Sequence, residues 1–475
     1  MKSLLLILAT LLFSSCFLSD DKEDQLDSNR LVEPVDQLGF ETMPSLMAEP
    51  MVWGSYYDID ESDSIVDGDA DRTQLDQCSE DEEITYHFNY TPFYSSKEEF
   101  KATIDFIQDD KIINPGKIYR LGDAQFISDV NRGIHVYDYT DPNNPIKLGF
   151  LSLPGNIDIA IMDGILYANS FSTLIAIDVR DLAKPIVKKI LYEAFEPVYK
   201  MGYPMIENDG GLATAWQRDT VYTCYQNYYR YDDCIDCEIL PRTYDAVSTD
   251  LLEQSGPGQG GSMARFELDE NHLYAIDLNK LYTFNIQVRE DPKKWSRDEV
   301  GFGVETIFRQ DSALYLGTQR GLIIFDISKP SNPVKASELS HTVSCDPVVV
   351  QDGLAYVTLR SGTACWGGDN ELQIVDVQDI YAPSLIETHA MHNPHGLAIQ
   401  GDLLYICEGD AGLKVFKLEE GLSPVLQSHL DGFHAKDIII DATTAYITGE
   451  GGMRVYDISD PTNLQLLSEQ KQTLD

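Results

Sequence analysis

The sequence predicts an all-β fold, and three observations carry that reading. A self-similar unit recurs about every 40 residues along most of the chain. Each unit reads as about four short strands whose period-2 and continuous apolar runs suit a sheet buried on both faces. The third strand of most units ends in Asp and runs into a Pro-bearing turn. A lone four-stranded unit of this kind cannot bury both faces, whereas a closed ring of seven can, leaving only short protected edges. The predicted architecture is therefore a β-propeller of seven four-stranded blades with a loop-rich insertion.

Residues 1–16 precede the repeats and read as an export signal: Lys2, an apolar stretch from Leu4 to Phe13, then Ser14, Ser15 and Cys16. The stretch is too short for an ordinary spanning helix, and no second one reaches the roughly 18 apolar residues such a helix needs. The segment resembles a bacterial lipoprotein signal, although Phe13 stands where an aliphatic residue is usual. The resemblance implies that Cys16 becomes the acylated N-terminus and that lipid alone holds the chain to a membrane; simple cleavage and release is the alternative. Residues 17–95 are expected to form an acidic tether and an irregular segment, because Asp20, Asp21, Glu23 and Asp24 open a polar, self-repelling stretch. Acidic runs at this place resemble the surface-export signals of lipoproteins in Bacteroidetes-like bacteria, which implies an outer-membrane or cell-surface address.

Seven copies of the unit fill residues 96–470. Their third strands are Gly133–Asp138, Leu174–Asp178, Lys280–Asn285, Gly321–Asp326, Leu372–Asp376, Gly412–Phe416 and Met453–Asp457. The following turns, such as Asp326-Ile327-Ser328-Lys329-Pro330, combine an Asp that bonds nearby amides with a Pro that presets φ. Strands such as Leu372-Gln373-Ile374-Val375-Asp376 resemble the LVIVD repeat, a family of bacterial and archaeal cell-surface proteins for which a propeller is expected. Asn285 and Lys417 occupy turn positions where Asp is usual, so those two blades are expected to turn differently.

Residues 191–262 interrupt the period between the second and third copies and are expected to emerge as a surface excursion. Tyr222, Tyr225, Tyr228, Tyr229 and Tyr231 cluster there, either as a recognition surface or as rings packing the excursion onto the propeller. Export makes disulfides plausible among the cysteines. Cys345 and Cys365 flank paired strands of one unit, and Cys224 could bridge Cys234 or Cys237, with the third thiol reaching Cys78. Cys407, mid-strand, reads as a buried, inert thiol. A zinc site on Cys234 and Cys237 lacks two ligands. Asp67, Asp69 and Asp71 begin like a calcium loop, but Arg72 replaces the needed Gly and Cys78 stands at the twelfth position, so a solvated acidic segment is the stronger reading. His389, His392 and His395 are spaced by three, but Pro394 argues against a shared helical face.

Aligning the copies on the Tyr of their second strands brings Lys117, Asp158, Arg265, Glu305, Asp346, His395 and Lys436 into register at the start of the first strand. In a propeller that strand lines the axial channel, so the seven are expected to ring one mouth of it. They would either hold a polar ligand or pair with one another and close the ring.

With 78 Asp or Glu against 35 Lys or Arg, the formal charge is -43, and nucleic-acid binding is excluded as a broad-surface role. Three functions compete. The first is a surface-anchored, non-catalytic recognition or scaffold module for a glycan, peptide or envelope protein. The second is a glycan hydrolase or lyase using Glu305, Asp346 or Asp158. The third is a structural subunit of an envelope complex. No nucleophile elbow, P-loop or dinucleotide fingerprint occurs, and neither a catalytic set nor a cofactor is predicted.

Overall fold

The computed structural model describes residues 40–41, 83–108, 111–182, 184–196, 199–200, 203–204, 212–225, 258–277, 279–301, 303–340, 347–360, 370–419 and 423–472. Seven antiparallel sheets, each with four strands paired in chain order, form the blades of a propeller. Their first strands are Pro115–Leu121, Ile159–Met162, Phe266–Asp269, Val304–Gln310, Val348–Gln351, Leu397–Gln400 and Asp437–Asp441. Each of these lies beside its predecessor, and Asp437–Asp441 lies beside Pro115–Leu121, so the ring closes. Blade 1 gains two short strands, Gln259–Gly260 on its inner edge and Asp105–Ile107 on its outer edge. The one helix among the described residues, Lys97–Ala102, starts at a capping box of Ser96 and Glu99. Glu83–Ser95 is a strand, where the sequence reading has an irregular segment.

Strand alternation explains why the blades need neighbours on both sides. In the second strand of blade 4, Leu314 and Leu316 pack with Tyr274 and Ile276 of blade 3. Ala313 and Tyr315, one position over, pack with Val350 and Val357 of blade 5. The seam between blades 7 and 1 is built the same way, with Ile439, Tyr446 and Val455 against Ile118, Ile127 and Tyr137. The second-strand tyrosines Tyr167, Tyr274, Tyr356, Tyr405 and Tyr446 are all essentially fully buried.

Three local devices recur. The third and fourth strands of every blade slip by one residue at the same place, leaving Leu148, Lys188, Trp295, Ala336, Ile386, Gln427 and Leu467 bulged. Such a bulge adds twist to each outer edge. The Asp after the third strand accepts from the amide two residues on, as at Asp326 to Ser328 (2.7 Å) and Asp457 to Ser459 (2.8 Å). Asn285 does the same for Gln287 (3.0 Å), which corrects the expectation that its blade turns differently, because an amide oxygen accepts as a carboxylate does. At Lys417 the expectation holds: the strand runs on to Glu419, which pairs with Ser423.

The Pro turns also latch neighbouring blades. Tyr167 Oη donates to the Arg289 carbonyl and Tyr274 Oη to that of Pro330, both at 2.8 Å. Ser337, Ser428 and Ser468 Oγ donate to the carbonyls of Ile380 (2.6 Å), Pro461 (2.7 Å) and Pro142 (2.6 Å). The last of these crosses the seam. There Arg120 also pairs with Asp441 (2.9 Å) and lies over the Tyr446 ring (4.4 Å).

Gly412 directly precedes the third strand of blade 6, Leu413–Glu419, at φ +79, and a Cβ there would collide with the Leu430 carbonyl of the fourth strand. Gly412→Ala should therefore lower unfolding stability by about 2 kcal/mol or more, measured by chemical denaturation.

Candidate functional site

Buried acceptors at the ends of second strands clamp the loops that lead to the channel mouth. Asp129 accepts from the amides of Ile113 (3.0 Å) and Asn114 (2.8 Å), upstream of Lys117. Asn169 Oδ1 accepts from Ile157 and Asp158, both at 2.9 Å. Glu408, fully buried, accepts from His392 (3.0 Å) and Asn393 (2.7 Å) ahead of His395, while Lys414 neutralises it at 2.8 Å. Each loop thus holds its amides in fixed positions before the first strand begins.

The axial residues lie at the starts of the first strands, Lys117 and Glu305 within them and Asp158, Arg265, His395 and Lys436 just before them. Lys117 Nζ lies 3.3 Å from Asp158, yet burial pushes its ammonium down to about 8 against the pull of that carboxylate. Asp158 also accepts from the Arg265 backbone amide. Glu305 accepts from Gln319 Nε2 (3.1 Å), and burial raises its carboxyl above the usual range. Thr358 Oγ1 donates to the His395 carbonyl (2.7 Å), and Gly396 N donates to the Lys436 carbonyl (2.9 Å), which ties blades 5, 6 and 7 together at this mouth. His395 is 5% exposed, and neither ring nitrogen has a hydrogen-bond partner among the described residues. Burial, reinforced by Arg360, His434 and Lys436, pushes its imidazole down to about 2, so the ring is neutral.

A cavity of about 100 Å³ opens among these groups, lined by Lys117, Arg265, Glu305 and His395 together with Arg360, Met263, Thr306 and Pro347. Four of the seven aligned residues therefore share one cavity. Asp158 stands behind Lys117 and lines a smaller neighbouring pocket with Asp277. Lys436 is half-buried near His395 and Asp437 but is not among the lining residues. Asp346 lies outside the described residues, as do Cys16, Asp67, Asp69, Asp71, Cys78, Tyr228, Tyr229, Tyr231, Cys234, Cys237, Cys345 and Cys365. Tyr222, Cys224 and Tyr225 fall on the strand Leu212–Tyr225. Cys407 is a free thiol, fully buried, and burial pushes it well above its ordinary value. The three spaced histidines diverge: His389 lies on the outer strand of blade 5, while His395 faces the axis.

The end of the insertion corrects the surface-excursion expectation. Residues 258–264 are threaded along the axis instead. Gly258 N donates to the Ile161 carbonyl (2.9 Å) of blade 2, and Gln259–Gly260 pair with Arg120 and Tyr119 of blade 1. Ser262 Oγ accepts from Leu397 N (2.8 Å) of blade 6, and the Ala264 carbonyl accepts from Ile307 N (2.9 Å) of blade 4. Met263, on this thread, contributes to the cavity wall. The strand pairing is antiparallel to Pro115–Leu121, so the thread runs from the far end of the first strands toward the mouth that carries Lys117. Glycine is required where it passes, because a Cβ at Gly258 would strike Tyr119 and one at Gly261 would strike the Asp437 carboxyl.

Asp437, one position beyond the aligned ring, was not singled out by the alignment. It is 1% exposed, its Oδ1 accepts from Ile438 N (3.0 Å), and Oδ2 has no partner among the described residues. Burial raises its carboxyl from 3.8 to about 7, opposed by Lys117 and Lys436 and reinforced by Asp158. The folded chain therefore keeps a proton that the unfolded chain releases. That contribution is complete below pH 3.8 and is lost as pH rises through about 7. Asp437→Asn should flatten the fall in stability between pH 4 and 8, as read from denaturant midpoints across that range.

Two stretches of the chain, residues 314–339 and 432–470, match the LVIVD repeat; they cover most of blade 4 and of blade 7. No curated protein matches the sequence. Among solved structures, similar ones include a functionally unknown protein from Desulfotomaculum acetoxidans DSM 771 (13% identity, TM-score 0.48, covering 75% of this chain and 95% of that one). The periplasmic gluconolactonase of Pseudomonas aeruginosa is similar at 10% identity and TM-score 0.45 (78% and 98% covered). BamB from Moraxella catarrhalis is similar at 12% identity and TM-score 0.42 (78% and 98% covered). Likenesses this distant carry no argument about function, and the fold rests on the strand pairing itself. The chain is a seven-bladed β-propeller with LVIVD repeats in its fourth and seventh blades.

Proposed function

We propose that the protein is an exported, lipid-anchored recognition module that takes a polar ligand at the axial mouth and has no catalytic role. The observation that carries this reading is the convergence of Lys117, Arg265, Glu305 and His395 on one cavity, with a buried imidazole whose two nitrogens have no partner among the described residues. A buried polar group left in that state costs free energy that a bound ligand can recover. The hydrolase reading needs a carboxylate free to act opposite Glu305. Asp158 is engaged by Lys117 and the Arg265 amide, which favours binding over acid–base chemistry. The N-terminal segment ending at Cys16 supports the lipid anchor and the outer-membrane or cell-surface address.

Screening cell-envelope glycans and peptides against the full-length chain tests the module reading. Saturable binding without turnover supports it, and turnover of any of them overturns it. The doubly substituted Asp158→Ala, Arg265→Ala chain should lose about tenfold or more in affinity, since it removes charged partners from a buried cavity. The anchor has its own test: radiolabelled palmitate should be incorporated by cells expressing the chain, and Cys16→Ser should abolish the labelling.

A further inference from the structure

We propose that the group recognised at the axial cavity is a carboxylate on a small or terminal moiety, a proposal that rests on the recognition reading above. Among the described residues the lining carries three cations, Lys117, Arg265 and Arg360, and one carboxylate, Glu305. Asp158 and Asp277 stand behind Lys117 and Arg265 and bring the charges around the cavity close to balance. A site this close to charge balance suits a singly charged group better than a dianionic phosphate.

Geometry and chemistry agree with that choice. Planar guanidinium forks pair with a planar carboxylate through two parallel N–H···O bonds. The neutral His395 ring has one N–H to donate to a carboxylate oxygen and, at 5% exposure, no partner for it among the described residues. A cavity of about 100 Å³ admits a carboxylate and a few further heavy atoms, with Met263 of the axial thread in its wall. The site therefore reads an end or a side group and does not enclose a whole polymer. A peptide C-terminus and a uronic acid both present that chemistry.

Four probes decide the matter by ligand-observed NMR titration of the full-length chain: N-acetylglycine, N-acetylglycinamide, D-glucuronate and D-glucose. At least one carboxylate should bind about tenfold or more tightly than its neutral counterpart, and which one does so identifies a peptide terminus or an acidic sugar as the source. Arg265→Gln and Arg360→Gln should each weaken that binding about tenfold while leaving the thermal midpoint within a few degrees of the parent, and Arg265→Lys should recover part of it. Neutral probes binding as well as the carboxylates, carboxylate binding indifferent to both arginine variants, or no binding by any probe would each overturn the carboxylate assignment. If the envelope screen still yields a neutral ligand lost in the Asp158→Ala, Arg265→Ala chain, the recognition reading stands while this one falls.

Discussion

The structure depends on one constraint: every blade is apolar on both faces, so no blade can sit at an end. Leu314 and Leu316 turn one way and Tyr315 the other, and both sets are buried. An array of such sheets with free ends would leave two apolar faces in water, at a cost that grows with their area. Closure removes both ends at once. It is achieved without strand exchange, since blades 1 and 7 are each built from four consecutive strands. Side chains hold the seam: the Ile439, Tyr446 and Tyr137 layer, the Ser468 latch on Pro142, and Arg120 between Asp441 and Tyr446.

The site is a product of that closure. Bending seven sheets into a ring points the starts of their first strands at a common axis, so residues as far apart in sequence as Lys117 and His395 share one cavity. The resulting channel would be a hole lined with backbone and charge if left empty. The thread of residues 258–264 fills it, donating and accepting backbone hydrogen bonds with blades 1, 2 and 4 and accepting one from blade 6 through Ser262. A segment inserted between two blades thereby becomes the wall of a cavity at the centre of all seven, and Gly258 and Gly261 are the positions that let it pass.

Repetition made much of this legible. The third strands read from the sequence coincide with those observed to within a residue at their starts, because a signal repeated seven times corrects its own ambiguities. The same repetition located Lys117, Arg265, Glu305 and His395, since equivalent positions in a ring must converge. What escaped lies off the repeat. Arg360 follows a second strand and so has no counterpart in an alignment of first strands. Met263 sits at the end of an insertion whose path depends on which cavity is available to it, and local sequence does not encode that. Asp437 neighbours an aligned position, and only its burial against Gly261 marks it out. Asn285 departs from the pattern in residue type while keeping its hydrogen bond, which residue type alone does not reveal.

The most direct test of ring closure is removal of its last member. A chain ending at residue 430 lacks blade 7 and exposes apolar faces on both blade 6 and blade 1. Equilibrium denaturation followed by tryptophan fluorescence should then show that the single cooperative transition of the full chain is lost, with a hydrophobic dye binding the shortened chain under native conditions. A shortened chain that unfolds in one sharp transition near the parent midpoint would contradict the account, because blades that tolerate a missing neighbour do not need a ring.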